Sequence, residues 1–319
     1  MIESPTMLSR VADSLYWMSR YLERAENTAR LVDVYKNIML DVPDALELQH
    51  LKRLQRSLSL PAVSTDADTV VHDLIFDADN PASIINSITA ARENARQVRE
   101  QISSEMWTQL NRLYLDVRYA RMDGIWSDSP HNFLLNVEEG SYLFQGITDA
   151  TMNHNQGWHF IQIGRFVERV LGLLEMLTVQ LESVDPPVRL DGGINRYFEL
   201  VSILKSVSAF EAYCKVYHTN LQTGWITEFL LFNREFPRSL RFGVDMIVAS
   251  LTTLADATSR SKNSRLYRLA GRLQSNLSFD EIADVGDLQA YLGGIKEQIN
   301  QIHALLFDTY ITYSIESAV

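Results

Sequence analysis

Residues 161–179 read IQIGRFVERVLGLLEMLTV. Apolar residues recur here on every side of a 3.6-residue period, yet Arg165, Glu168 and Arg169 stand together in their midst. Between Trp158 and Leu181 the one other formal charge is Glu175. A helix that is apolar nearly all round is buried, so this stretch predicts a central helix of an all-helical core. Its three clustered charges fall at i, i+3 and i+4 and point in roughly one direction. Stripping one partner from a buried charged group costs about 3–5 kcal/mol, so charges in this position must be paired.

The matching surface lies near the start of the chain. Residues 17–34 read WMSRYLERAENTARLVDV, in which Arg20-Tyr21-Leu22-Glu23-Arg24 repeats the order of Arg165-Phe166-Val167-Glu168-Arg169. The two motifs are 145 residues apart in a chain of 319. Such spacing is compatible with an ancient duplication, although R-x-x-E-R is also a common helical pattern. A duplicated chain would be a single helical domain over 1–319 with pseudo-repeat halves 1–130 and 131–319. If the motifs face each other, Glu23 meets Arg169 or Arg165, and Glu168 meets Arg24 or Arg20. Two acids against four bases leave positive charge over. That surplus either meets Glu138, Glu139, Asp149 or Glu211, or binds a carboxylate or phosphate. Taken alone, the first motif also suits a solvated face carrying surface pairs of ~0.3–0.5 kcal/mol each.

Helical periodicity governs the remainder. The first helix is expected over about 7–40, with Ser4, Pro5 and Thr6 as start signals and Pro43 beyond its end. Val11, Leu15, Met18, Leu22, Ala25 and Ala29 share one apolar sector, opposite Asp13, Arg20, Glu23, Arg24 and Asn27. Further helices are expected at about 44–60, 81–106, 108–121, 131–153, 155–182, 193–220, 223–233, 237–258, 262–276 and 279–315. Asn80-Pro81 reads as N-cap and first helical residue, Pro237 as another helix start, and Pro186-Pro187 with Gly192-Gly193 as a loop. Nothing alternates persuasively at period two. The expected fold is an all-α multi-helix bundle, with 125–130 and 184–193 as places where it would divide.

Composition bounds the function. An apolar fraction of 46% and a charged fraction of 22% are those of a packed globular chain. A formal net charge of −11 argues against nonspecific binding to nucleic acid or an anionic membrane. Cys214 is the one cysteine, the N-terminus lacks the pattern of a signal peptide, and no apolar run approaches a membrane span, so a cytoplasmic location is expected. Arginines number 23 against six lysines. That bias reflects either codon usage or a need for planar, bidentate pairing with carboxylates and phosphates.

Catalytic signatures are sparse. Glu23 and Glu168 are candidate catalytic carboxylates, yet neighbouring arginines would depress their pKa values and make them poor general acids. A di-iron bundle needs two Glu-x-x-His motifs, and Glu47-Leu48-Gln49-His50 supplies one. His154 and His159 do not share a helix face well, and Cys214 has no ligand-spaced neighbour, so no metal is expected. No Ser or Cys nucleophile motif, Walker loop or dinucleotide fingerprint occurs, and no cofactor is expected. Arg265, Arg268 and Arg272 line one face of a later helix, either as a solvated stripe or as a dock for an acidic partner. Trp107, Trp126 and Trp225 suit either an interface or the core.

Four segments together carry a family resemblance: MLSRVADSLYWMSRYLERAENTARLVDV at 7–34, WHFIQIGRFVERV at 158–170, SAFEAYCKVY at 208–217 and FLLFNREFPRSLRF at 229–242. In this order they resemble the bacterial alpha-E family, a helical domain named for its Glu-Arg motif. The resemblance implies the company of circularly permuted ATP-grasp proteins and transglutaminase-like peptidases, and a role in making, modifying or turning over a peptide or amide linkage. The motif positions carry over as Arg20, Glu23 and Arg24, then Arg165, Glu168 and Arg169. The last segment adds Arg238 and Arg241, an i, i+3 pair expected to dock the ATP-grasp partner. The central segment departs in having Val170-Leu171 where the first has Ala25-Glu26. Three functions follow as alternatives: an accessory or scaffold for an ATP-grasp ligase, binding a carboxylate or peptide; an independent enzyme acting on a peptide or amide bond; or a homo-oligomer in which the motifs only specify helix pairing.

Overall fold

The structure is a computed structural model that describes residues 7, 9–40, 43–61, 64–120, 130–182, 194–258 and 264–312. The start signals Ser4, Pro5 and Thr6, the loop at Pro186-Pro187 and Gly192-Gly193, and Trp126 lie outside these residues. The described chain forms thirteen α-helices: α1 Ser9–Ile38, α2 Asp44–Ser57, α3 Ala67–Phe76, α4 Ile84–Gln97, α5 Ser104–Arg118, α6 Pro130–Thr151, α7 Gln156–Leu181, α8 Ile194–Lys205, α9 Phe210–Tyr217, α10 Thr223–Phe232, α11 Leu240–Ala257, α12 Arg265–Phe279 and α13 Leu288–Leu306. Among the described residues there is no strand, and the fold is an all-α multi-helix bundle.

Its axis is the pair α1 and α7. They run in the same direction, with Leu15 against Gly157, Ser19 against Gly164 and Asn27 against Gly172. The other helices wrap this pair. On α1 lie α4 and α6, with α5 against both; on α7 lie α11 and α13, with α12 against both. Helix α2 follows α1 but packs on α7, while α8 follows α7 but packs on α1. The consequence for α1 differs from its sequence pattern. The face of Arg20 and Glu23 is covered as fully as the face of Leu15 and Ala25.

Two glycines set how closely the central helices approach. A Cβ on Gly164 would lie 2.3 Å from both the Tyr16 carbonyl oxygen and Ser19 Oγ. On Gly243 of α11 it would lie 2.5 Å from Val170 Cγ2 of α7. Any side chain at 164 therefore forces α1 and α7 apart one turn from the charged motifs.

Several boundaries differ from the periodic pattern. Helices α4 and α11 start after Ser83 and Ser239, two residues beyond the prolines at 81 and 237. Ser83 Oγ accepts from Asn86 N at 3.1 Å and donates to Asp77 O at 2.5 Å. Ser239 Oγ likewise accepts from Phe242 N at 3.1 Å and donates to Asn233 O. A serine hydroxyl satisfies an orphan N–H, which neither proline can offer. The expected helix at 193–220 breaks between α8 and α9, where Ser208 takes a left-handed φ of 51°. The one expected at 81–106 ends at Gln97 before α5 restarts after the Ser103 cap. In the last, expected over 279–315, α13 begins only at Leu288, preceded by a short 3-10 turn at Ile282–Asp284. Helix α3 was not expected at all; Asp66 caps it by accepting from Thr69 N at 3.0 Å.

Gly164→Ala adds one methyl group and improves helix propensity, yet it is predicted to destabilise the fold by about 1–3 kcal/mol, as overpacking does. Chemical denaturation followed by circular dichroism checks this; unchanged or increased stability would show that α1 and α7 have room to separate.

Candidate functional site

The two Glu-Arg motifs meet across the α1–α7 contact and exchange partners. Glu168 takes Arg20 Nε on Oε2 and Arg24 Nε on Oε1, both at 2.6 Å. Glu23 takes Arg169 through Nε at 2.6 Å and Nη2 at 2.8 Å, a two-pronged pair. Charge-assisted and bidentate bonds of this kind are the strong ones. Burial alone would push the Glu168 carboxyl up, but Arg20 and Arg24 outweigh it and hold its pKa below the ordinary value.

The exchange is not symmetric. Arg165, the counterpart of Arg20, does not bond Glu23; it donates to Gln145 Oε1 at 3.4 Å and to Gln162 Oε1. Gln162 and Trp158 in turn donate to Asp149 Oδ1 at 3.3 and 3.1 Å. Asp149 thus stands behind Arg165 through an amide. Arg165 Nε is buried without a hydrogen-bond partner. Burial and the neighbouring Arg169 lower the Arg165 pKa to about 10.

A second layer of charge completes the centre, and its acid is Glu26. Completely buried, it accepts from Arg238 Nη2 at 2.8 Å, from Tyr142 Oη at 3.1 Å and from Arg30. Burial opposes its charge, yet Arg238, Arg30 and Arg169 bring its pKa down to about 2. Arg238 also reaches Glu23 Oε1 at 3.5 Å. It is therefore an internal residue, where a surface docking pair with Arg241 was expected; Arg241 is half-buried. Arg30 ties the layer to the break between α8 and α9, donating through Nε to the Ser206 carbonyl at 2.7 Å. Of the other acids expected to meet the surplus, Glu138 lies beside Arg30 and Tyr142, while Glu139 and Glu211 are exposed and take no part. Arg265, Arg268 and Arg272 are exposed along α12, far in sequence from this centre.

Sequence spacing missed Glu26, Arg30 and Tyr142. Glu26 and Arg30 carried a signal, since they continue the face of Glu23 at i+3 and i+7. Tyr142 carried none, and Arg238, named by its segment, gave no sign of its place beside Glu26, because only the tertiary fold brings α6 and the start of α11 to α1.

Two clefts adjoin the centre. One of about 320 Å³ opens over Arg20, Arg24 and Glu168. Another, of about 760 Å³, is lined by Arg30, Asp33, His131, Glu138 and Lys205 beside the half-exposed Tyr197 and Phe198. By contrast, the Glu23 side is sealed, with only about 10 Å³ between Glu23 and Arg165. Across one edge, Tyr16 Oη is hydrogen-bonded to His303 Nδ1 at 2.7 Å and accepts from Arg20 Nη1 at 3.3 Å. Burial, then Arg20, lower the His303 pKa to about 4, so the ring is neutral near pH 7.

Fold and site together define an all-helical domain organised on a reciprocal pair of Glu-Arg helices. The chain belongs to the Alpha-E family, described as "a predicted alpha-helical domain with a conserved ER motif", which it matches over residues 7–311. It is similar to an uncharacterized protein of Mycobacterium bovis and to another of Mycobacterium tuberculosis strain CDC 1551, each 26% identical over 337 aligned positions. The alignment covers 95% of this chain and 37% of each relative, so the chain spans little more than a third of the proteins it matches. No solved structure matches. Among the described residues, no helix is long and apolar enough to cross a membrane.

Glu138 supplies a pH-dependent test. Burial, reinforced by Glu26 and Asp33 against the pull of Arg30, raises its pKa from 4.5 to about 7. A raised carboxylate means that the folded state holds the proton more tightly, so its contribution is complete below pH 4.5 and is lost as pH rises through 7. Glu138→Gln is predicted to match the wild type near pH 4 and to become the more stable protein by pH 8. Melting temperatures across that range check it; a variant that is less stable at pH 8 than at pH 4 relative to wild type contradicts the assignment.

Proposed function

We propose that the chain is an accessory or scaffold module that works beside an ATP-grasp amide or peptide ligase and holds a carboxylate or peptide at its Glu/Arg cluster. The observation that carries this reading is the state of the two motif carboxylates. Glu23 and Glu168 each accept charge-assisted bonds on both oxygens, so neither is free to take a proton from a substrate. Arg24, meanwhile, uses only Nε on Glu168 and borders an open cleft. A centre of that kind holds and orients an anion. That the chain corresponds to 37% of longer relatives supports a module that operates joined to other domains. The ATP-grasp partner, with a transglutaminase-like peptidase as a second associate, rests on the family resemblance, and a cytoplasmic setting on the single cysteine and the lack of a signal-peptide pattern.

A second reading, an independent enzyme acting on an amide bond, is favoured by Glu138. Its pKa of about 7 beside the larger cleft is that of a general acid or base at neutral pH. We also infer that the halves descend from a duplication, supported by the parallel central helices, the exchanged packing of α2 and α8, and the matching serine caps of α4 and α11.

The accessory reading predicts that adding the purified chain to the ATP-grasp protein of the same cell increases the rate of ATP-dependent amide formation, with a stable complex on size-exclusion chromatography. No complex and no change in rate would overturn it. Amide chemistry by the chain alone would favour the second reading.

A further inference from the structure

Of the two motif junctions, only the one at Glu168 is reachable. The side chains of Glu23 and Glu26 are 2% and 0% exposed and their arginines nearly as covered, whereas Arg24 is 25% exposed on the wall of the 320 Å³ cleft. Charge is unbalanced there. One carboxylate, Glu168, serves two arginines, and the neighbouring Glu175 is already met by Lys296. The lining therefore carries one net positive charge in a chain of net −11.

The uncharged groups agree. Arg24 Nη1 and Nη2 have no hydrogen-bond partner among the described residues, its Nε being its one bonded nitrogen. Ser57 Oγ, in a serine 3% exposed, is buried in the lining with no partner either. Asn27 Oδ1 is fixed by Arg30 Nη2 at 3.0 Å, which turns its Nδ2 toward Gly172; a Cβ at 172 would lie 3.3 Å from that nitrogen. The cleft thus offers a guanidinium edge and an amide N–H around a single surplus positive charge, with the buried Ser57 in its wall. An anion with one charge and two acceptor oxygens matches this set. A phosphate dianion would need a second cation. The volume falls at the low end of the ~300–1,000 Å³ typical of ligand sites, which suits an amino-acid-sized group.

We propose that this cleft, with Arg24 as its anchoring residue, binds the carboxylate end of a small acyl-amino acid or short peptide. The proposal rests on the binding role assigned to the Glu/Arg cluster above and selects the α1–α7 junction at Glu168 as the place. Arg24 is the bidentate donor and Asn27 Nδ2 the neighbouring one, while Lys296 keeps Glu175 from repelling the anion.

Isothermal titration calorimetry of the intact chain tests it, using N-acetylalanine, N-acetylalaninamide and inorganic phosphate as probes. The acid is expected to bind once per chain, the amide not to bind, and phosphate to bind more weakly. Arg24→Gln is expected to weaken the acid by at least about tenfold, the loss of a charge-assisted bidentate contact. Because Arg24 also holds Glu168, Lys296→Gln serves as the second variant: it leaves Glu175 unmatched beside the cleft, so it should weaken binding, and since the pair it removes is partly exposed the melting temperature should fall only slightly. Equal binding of acid and amide, tighter binding of phosphate, or undiminished affinity in both variants would overturn the proposal. If the acid does not bind while the chain still stimulates the ligase, only the cleft assignment falls. Binding of the acid without stimulation removes the accessory reading and leaves the cleft.

Discussion

The reciprocal exchange of carboxylates and guanidinium groups between α1 and α7 is the constraint on which the rest of this structure depends. Two parallel helices cannot bury Glu23, Arg20, Glu168 and Arg169 unless each supplies the other's counter-charge. That requirement fixes their register, and register fixes where every surrounding helix must pack. Gly164 lets the backbones come close enough for the exchange, because its missing side chain leaves room for the Tyr16 carbonyl and Ser19. Electrostatic and steric demands thus coincide within one helical turn.

The centre extends beyond the motif because pairing four arginines with two glutamates leaves charge uncompensated. On the sealed side the further acid is Glu26, met by Arg30 one turn along the same helix and by Arg238 from the approach to α11. Arg165 is instead dispersed over amides. On the open side no further acid arrives for Arg24, and solvent has access. The junction at Glu23 is a closed structural latch, while the one at Glu168 has a cation at the surface. The difference follows from Glu26, for which the second motif has Leu171 at the corresponding place.

Much of this was legible in the sequence, for identifiable reasons. Charges inside an apolar run forced a buried, paired helix at α7, and the repeated spacing named its partner on α1. The central pairing needs only local periodicity and the cost of an unpaired buried charge. Other features were not encoded locally. Arg238 reads as an exposed residue after a proline, and only the approach of α11 to α1 carries it to Glu26, 212 residues away. The breaks at 98–103 and 206–209 contain neither glycine nor proline. Ser208 nevertheless adopts a left-handed conformation, and the carbonyl of Ser206 is taken up by Arg30 from the other half of the chain. The second break is held by that tertiary contact, which a single sequence does not display. The clefts were equally invisible, since burial of a motif does not reveal which of its edges stays open.

The central claim is that Glu23 and Arg169 interact directly across the α1–α7 contact and stabilise it as a pair. A double-mutant cycle of Glu23→Gln and Arg169→Gln, with stabilities from urea unfolding, measures that interaction most directly. A coupling of about 1–3 kcal/mol is predicted, each single variant losing more than the second substitution adds. Strictly additive losses would contradict the account, because they would mean that the two side chains contribute independently and the exchange does not hold the helices in register.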